Sequence, residues 1–100
     1  MDDTNLWIFP QSIGFKDTAS YMERVETIKE DSDITFDLRQ TVNIHSSFIG
    51  FLIHAKLQAN IKRCRLTMIL SMTVERILIM LNVIDFFSPE IICISNKKSA

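Results

Sequence analysis

An α/β fold, with helices packed on a mainly parallel sheet of about four strands, is predicted by three observations. Short runs rich in β-branched and aromatic residues alternate with longer segments whose apolar residues recur at helical spacing. The run Leu66-Thr-Met-Ile-Leu70 is nearly continuous in apolar residues, as parallel strands covered on both faces are. Strands separated by whole helices must be joined by right-handed crossovers, which leaves them parallel.

Leu6-Trp-Ile-Phe9 reads as the first strand, closed by Pro10, and Gly14 marks a turn. Asp17, Thr18 and Ser20 are candidate caps for the first helix, and Ser20 with Glu23 has capping-box spacing. Tyr21, Val25 and Ile28 form its apolar side; Glu23, Arg24, Glu26 and Lys29 form its wet side, and Glu30-Asp-Ser-Asp33 ends it. In Ile34-Thr-Phe-Asp-Leu38 apolar and polar residues alternate, the period of a strand with one buried face. A second helix is expected from Ser46 to about Asn60. Phe48, Phe51, Leu52, Ala55 and Ala59 make its core stripe, and Ile49, Ile53 and Leu57 make a flanking row wider than one sheet-facing side requires. After the strand Leu66–Leu70, Thr73 is the candidate cap of a third helix with core residues Val74, Ile77, Leu78 and Leu81, and Glu75 sits in its first turn. Ser88-Pro89 interrupts, Ile91–Ile94 is a last strand, and residues 96–100 form a polar tail expected to be flexible. Met68, Met72 and Met80 with Phe48, Phe51, Phe86 and Phe87 are read as core filling.

One hundred residues with 47% apolar content suit a single domain over residues 1–100. The net charge of −1 is unevenly placed. Residues 1–50 carry four Lys/Arg against nine Asp/Glu, and residues 51–100 carry seven against three, a dipole that can orient a partner. Lys62-Arg63-Cys64-Arg65 is the densest basic cluster, yet no aromatic is interleaved, so direct nucleic-acid binding is not expected. Cys64 and Cys93 are expected to be reduced, since the start Met-Asp-Asp-Thr-Asn has no secretory character. Apolar stretches fall short of the roughly 18 residues a bilayer span needs, so a soluble, cytoplasmic protein without membrane insertion is expected.

His45-Ser46-Ser47 opens the second helix, where unpartnered N–H groups and the macrodipole favour an anion. The serines are read either as caps or as phosphoacceptors. His54 is placed on the polar side of the helix, facing solvent or an interface. His45, His54, Cys64 and Cys93 have no close metal-ligand spacing, so no metal is expected. Phosphate-loop, dinucleotide and nucleophile-elbow motifs are absent, and neighbouring His45 and Ser46 do not make a base and nucleophile without a third, orienting group. No catalytic residue, cofactor or enzymatic activity is expected.

Read in order, Ile34-Thr-Phe-Asp-Leu38, His45-Ser-Ser-Phe-Ile-Gly50, Leu66-Thr-Met-Ile-Leu70 and Leu81-Asn-Val-Ile-Asp-Phe-Phe87 resemble a STAS domain, the anti-sigma factor antagonist family. That family has an aspartate-serine-serine-glycine-leucine-glycine motif after a strand ending in aspartate-leucine, and a leucine-x-glycine-leucine-x-x-phenylalanine pattern closing a later helix. Here His45 stands at the aspartate and Phe48 at the first glycine, which is expected to make the loop bulkier and less acidic. The resemblance implies partner switching in transcriptional signalling: the domain binds a serine kinase that is also an anti-sigma factor, and phosphorylation of Ser46, with Ser47 the second candidate, ends the complex. It implies a partner surface of His45, Ser46, Ser47, Ile49, Gly50, Ile53, His54 and Leu57. The alternative it implies is an accessory subunit, never phosphorylated, of a membrane-associated complex that transports lipids or anions. A homodimer is a further expectation.

Overall fold

The computed structural model of the chain describes residues 4–88 and 91–93. Its elements run β1 (Thr4–Ile8), β2 (Ser12–Ile13), α1 (Phe15–Val25), β3 (Asp33–Leu38), β4 (Asn43–Ile44), α2 (Ser46–Ile61), β5 (Arg65–Leu70), α3 (Met72–Met80), α4 (Ile84–Phe87) and β6 (Ile91–Cys93). The protein is α/β, and every strand pair among the described residues is parallel. The main sheet has the order β1-β3-β5-β6. The extended pairing belongs to β1, β3 and β5; β6 adds the short edge register Met68↔Ile91 to Leu70↔Cys93. The small β2–β4 sheet was not expected from the sequence, because two residues have no periodicity to detect. Ile94 and the tail 96–100 lie outside the described residues.

Strand order decides where the helices go. Each step, β1 to β3 to β5 to β6, moves one place the same way across the sheet. Crossovers of one hand that all advance in one direction stack their helices on one face. Accordingly Trp7, Phe36 and Met68, which share a register row, are buried in one cluster with Val25 of α1, Phe51 and Leu52 of α2, and Val74 and Leu78 of α3. The opposite row, Leu6, Thr35 and Thr67, is at least partly exposed throughout.

The covered side is an aromatic lattice. Trp7 and Phe36 centroids are 5.0 Å apart, Phe9 meets Tyr21 edge-on at 4.9 Å, and Phe51 stacks on Phe36 at 5.7 Å and on Phe48 at 5.5 Å. Such pairs each contribute about 0.5–1.5 kcal/mol beyond the area they bury. The Arg24 guanidinium lies 4.0 Å from the Trp7 ring centroid and closes the lattice as a cation–π contact.

Several boundaries and burials differ from the sequence reading. Helix α1 begins at Phe15, capped by Gly14, whose N–H donates to Asp17 Oδ2 at 2.9 Å; Ser20 and Glu23 form no box, and Asp17, Thr18 and Ser20 are inside the helix. Ser71, not Thr73, caps α3: its Oγ accepts the Val74 N–H at 3.1 Å and donates to the Thr41 C=O at 2.7 Å. Met72, Met80, Leu81 and Phe86 are exposed, so the core uses Met68, Val74, Leu78 and Phe87 instead. The third helix ends near Met80, and the chain turns at Asn82 (φ 62°) before the short α4 brings Phe87 inward.

Candidate functional site: the start of α2

The loop entering α2 is fastened from three sides. Thr41 Oγ1 donates to the Pro10 C=O at 2.8 Å, Gln40 Nε2 donates to the Phe9 C=O at 2.8 Å, and Ser71 Oγ holds the Thr41 C=O. The His45 N–H then donates to the Ile13 C=O at 3.0 Å, at the end of the β2–β4 ladder. Gln40, Thr41 and Ser71 were not singled out from the sequence; buried hydroxyls such as Thr41 and Ser71 are tied to backbone groups far away in the chain, which no local pattern reports.

His45 is the N-cap. Its backbone is extended (φ −75°, ψ 150°), and its Nδ1 accepts the Ser47 N–H at 3.0 Å and lies 2.9 Å from Ser47 Oγ. Accepting the N–H requires a lone pair on Nδ1, so the neutral ring carries its proton on Nε2. The imidazole therefore satisfies the orphan helix donor that serine or aspartate usually satisfies. The sequence reading of Ser46 or Ser47 as the cap is corrected by this geometry. Ser47 is half-buried with its hydroxyl at His45; Ser46 is exposed at the first helical position, and its hydroxyl makes no hydrogen bond among the described residues. Phe48 is fully buried, so its side chain adds core, not bulk, to the loop.

Ser46, Ile49, Gly50, Ile53 and Leu57 are spaced i, i+3, i+4, i+7 and i+11 and share one side of α2. The buried residues Phe48, Phe51, Leu52, Ala55 and Ala59 are on the other. Ile49 and Ile53 are half-buried at the margin of the core, while Leu57 and Ile61 are 46% and 69% exposed. Gly50 is exposed, and a Cβ built on it meets nothing within 4 Å. Glycine inside a helix costs about 1 kcal/mol relative to alanine, and nothing in the fold requires that cost here. The result is a shallow apolar strip with a flat place one turn after a free hydroxyl.

His54 sits beside this strip rather than on it. Its Nε2 is 2.8 Å from Glu26 Oε2, tying α2 to the residue that follows α1. The basic cluster is likewise engaged internally. Lys62 Nζ donates to the Glu26 and Ile28 carbonyls at 2.9 and 2.8 Å, and Arg63 donates to both Asp31 carboxylate oxygens at 3.0 and 3.1 Å and to Glu30 at 3.2 Å. Asp31 and Arg63 are both left-handed (φ 61° and 58°), so this ion pair joins two turns that each carry backbone strain. A shallow polar depression of about 430 Å³ beside them is lined by Asp31, Ser32, Asp33, Asn60, Arg63 and Arg65. It lies at the amino ends of β3 and β5, whereas open α/β sheets bind ligands beyond the carboxyl ends.

At the carboxyl end of β3, Asp37 accepts from Arg39 three times: Oδ1 from the backbone N–H at 3.1 Å and from Nε at 3.0 Å, and Oδ2 from Nη2 at 2.7 Å. The Arg39 guanidinium hydrogen bonds hold the Asp37 carboxyl below the usual carboxylate range, outweighing the opposing effect of burial. Tyr21 is pushed up, first by burial and then by nearby Asp17. Cys64 is a free, half-exposed thiol, with Sγ donating to the Lys29 C=O at 3.3 Å; the Cys93 side chain lies outside the described residues.

No family model matches this chain, and no curated protein matches it. Among the described residues, no helix is long and apolar enough to cross a membrane, and no three His, Cys, Asp or Glu side chains group to hold a metal ion.

Proposed function

We propose that this chain is a STAS-like regulatory module that binds a serine kinase acting as an anti-sigma factor, in the cytoplasm, through the first turns of α2. Phosphorylation of Ser46 releases that partner. The observation that carries the reading is the strip itself: a hydroxyl without a hydrogen bond among the described residues, at the first position of α2, followed on the same side by Ile49, Gly50, Ile53 and Leu57. Ser46 is where an added phosphate would lie over the helix N-terminus, which favours it by the helix dipole. Its charge of about −1.5 to −2 would stand at the head of an apolar contact, where desolvation ejects a partner without refolding the module. Gly50 supports the same reading, since its missing Cβ lets a partner approach the helix backbone. His45, at the position where the family has aspartate, accepts the Ser47 N–H and so caps the helix that carries Ser46.

A second reading, an accessory subunit of a membrane-associated lipid or anion transport complex, is favoured by Ile53 and Leu57. This row continues well past Ser46 and can hold a partner without any modification. Incubation with candidate serine kinases and ATP, followed by intact-mass measurement, separates the two. One phosphoryl group on Ser46, and loss of the complex in Ser46→Asp, supports switching. An unmodified chain in a tight complex that Ser46→Asp leaves intact supports the accessory role. Ile53→Glu should abolish partner binding in either case with an unchanged circular dichroism spectrum; an unfolded variant would assign the row to the core.

A further inference from the structure

Strand β1 is the longer of the two edge strands of the main sheet, and among the described residues it pairs with β3 alone. The Phe9 N–H donates to the Asp37 C=O, so the odd-numbered residues of this segment bond toward β3. By the two-residue period, the N–H and C=O groups of Leu6 and Ile8 point away from the sheet. The same two residues carry exposed apolar side chains, at 55% and 65%. Thr4–Ile8 contains no charge and no proline, the usual guards of an open edge.

We propose that a second copy of this chain occupies this edge, its β1 running antiparallel to the first and joining two sheets into one. The strand is complementary to itself. Only Thr4, Leu6 and Ile8, the residues with outward backbone groups, can form the hydrogen-bonded pairs, and the registers centred on the apolar residues set Leu6 of one copy opposite Leu6 or Ile8 of the other. Both registers gather four apolar side chains on the same side of the joined sheet. A neutral strand places no like charges across the two-fold axis, and it offers a charged foreign strand no electrostatic steering. One strand pair buries less than the roughly 1,200 Å² of a standard interface, so the dimer is weak and forms reversibly. The contact is separate from Ser46 and the α2 strip, and it stands whether or not that strip is phosphorylated.

Sedimentation of the full chain from micromolar to millimolar concentration, with amide hydrogen exchange at the two ends of that range, tests the proposal. The expected result is a concentration-dependent dimer, with protection of the Leu6 and Ile8 amides rising as it forms. The variant Leu6→Lys/Ile8→Lys, altered only at exposed positions, should weaken the dimer more than about tenfold while Trp7 fluorescence remains native. A monomer at millimolar concentration overturns the proposal, as does a dimer that the double variant forms equally well. Protection of the edge only when another protein is added assigns it to a foreign segment and overturns the proposal too.

Discussion

The two faces of the main sheet are made from neighbouring residues of the same strands, yet they are built to different standards. Along Leu6-Trp7-Ile8-Phe9 exposure alternates 55%, 2%, 65% and 1%. The buried members enter the aromatic lattice; the exposed members face a side on which the crossovers placed no helix. Parallel sheets are ordinarily covered on both faces. Here three crossovers that advance in one direction account for the one-sided arrangement, and the open side relies on small and paired polar groups: Thr35, Thr67 and the Asp37–Arg39 ion pair. Stability is therefore concentrated on the helix side, and the open side and the outer strip of α2 are left to surface chemistry.

The largest expected effect separates the faces directly. Phe51→Ala should cost about 3–5 kcal/mol, because it opens a cavity between Trp7, Phe36 and Phe48, whereas Ile8→Ala should change stability by no more than about 0.5 kcal/mol. Urea denaturation of both variants measures the contrast, and similar losses would break it. Next comes Ser71→Ala, which removes the α3 cap and the tie to the Thr41 carbonyl. A loss of about 0.5–2 kcal/mol is expected, together with faster amide exchange in residues 41–45. Gly50→Ala should move the other way, stabilising the chain by about 0.5–1 kcal/mol in the same assay while weakening partner binding.

The smallest effect belongs to the open face and depends on pH. The ionised form of Asp37 is the one Arg39 binds, so its folded pKa lies below the unfolded value of about 4. The contribution of the pair is present above that value and is lost as pH falls through the depressed folded pKa. Thermal melts of Arg39→Gln should accordingly differ from those of the unchanged chain near neutral pH and converge with them in acid. A difference that persists at low pH would assign the role of Arg39 to packing.

Where periodicity carries information, the sequence and the structure agree closely. Ile34–Leu38 and Leu66–Leu70 each lie inside a strand that begins only one residue earlier, and Phe48, Phe51, Leu52, Ala55 and Ala59 are all buried as their spacing implies. Caps were less legible. Gly14 has no side chain to signal a cap, with Asp17 reaching back to it from inside the helix, and histidine is not among the usual cap residues, so nothing local marks His45 as the residue that caps α2. Four consecutive apolar residues, Leu6 to Phe9, conceal which face is open, because alternation cannot be read when both sets are apolar. The same ambiguity placed Met80 and Phe86 in the core; apolar composition cannot say whether a third layer exists to receive them. The roles of Lys62, Arg63 and His54 were hidden because their partners lie about thirty residues away in sequence.

The phosphorylation state of Ser46 in chain purified from its native cells, located by fragment mass spectrometry and compared with Ser46→Ala, tests the functional account most directly. The account predicts a fraction bearing one phosphoryl group on Ser46, separated from the partner that co-purifies with the unmodified fraction. Unmodified Ser46 throughout, with a partner retained equally by Ser46→Asp, would contradict it.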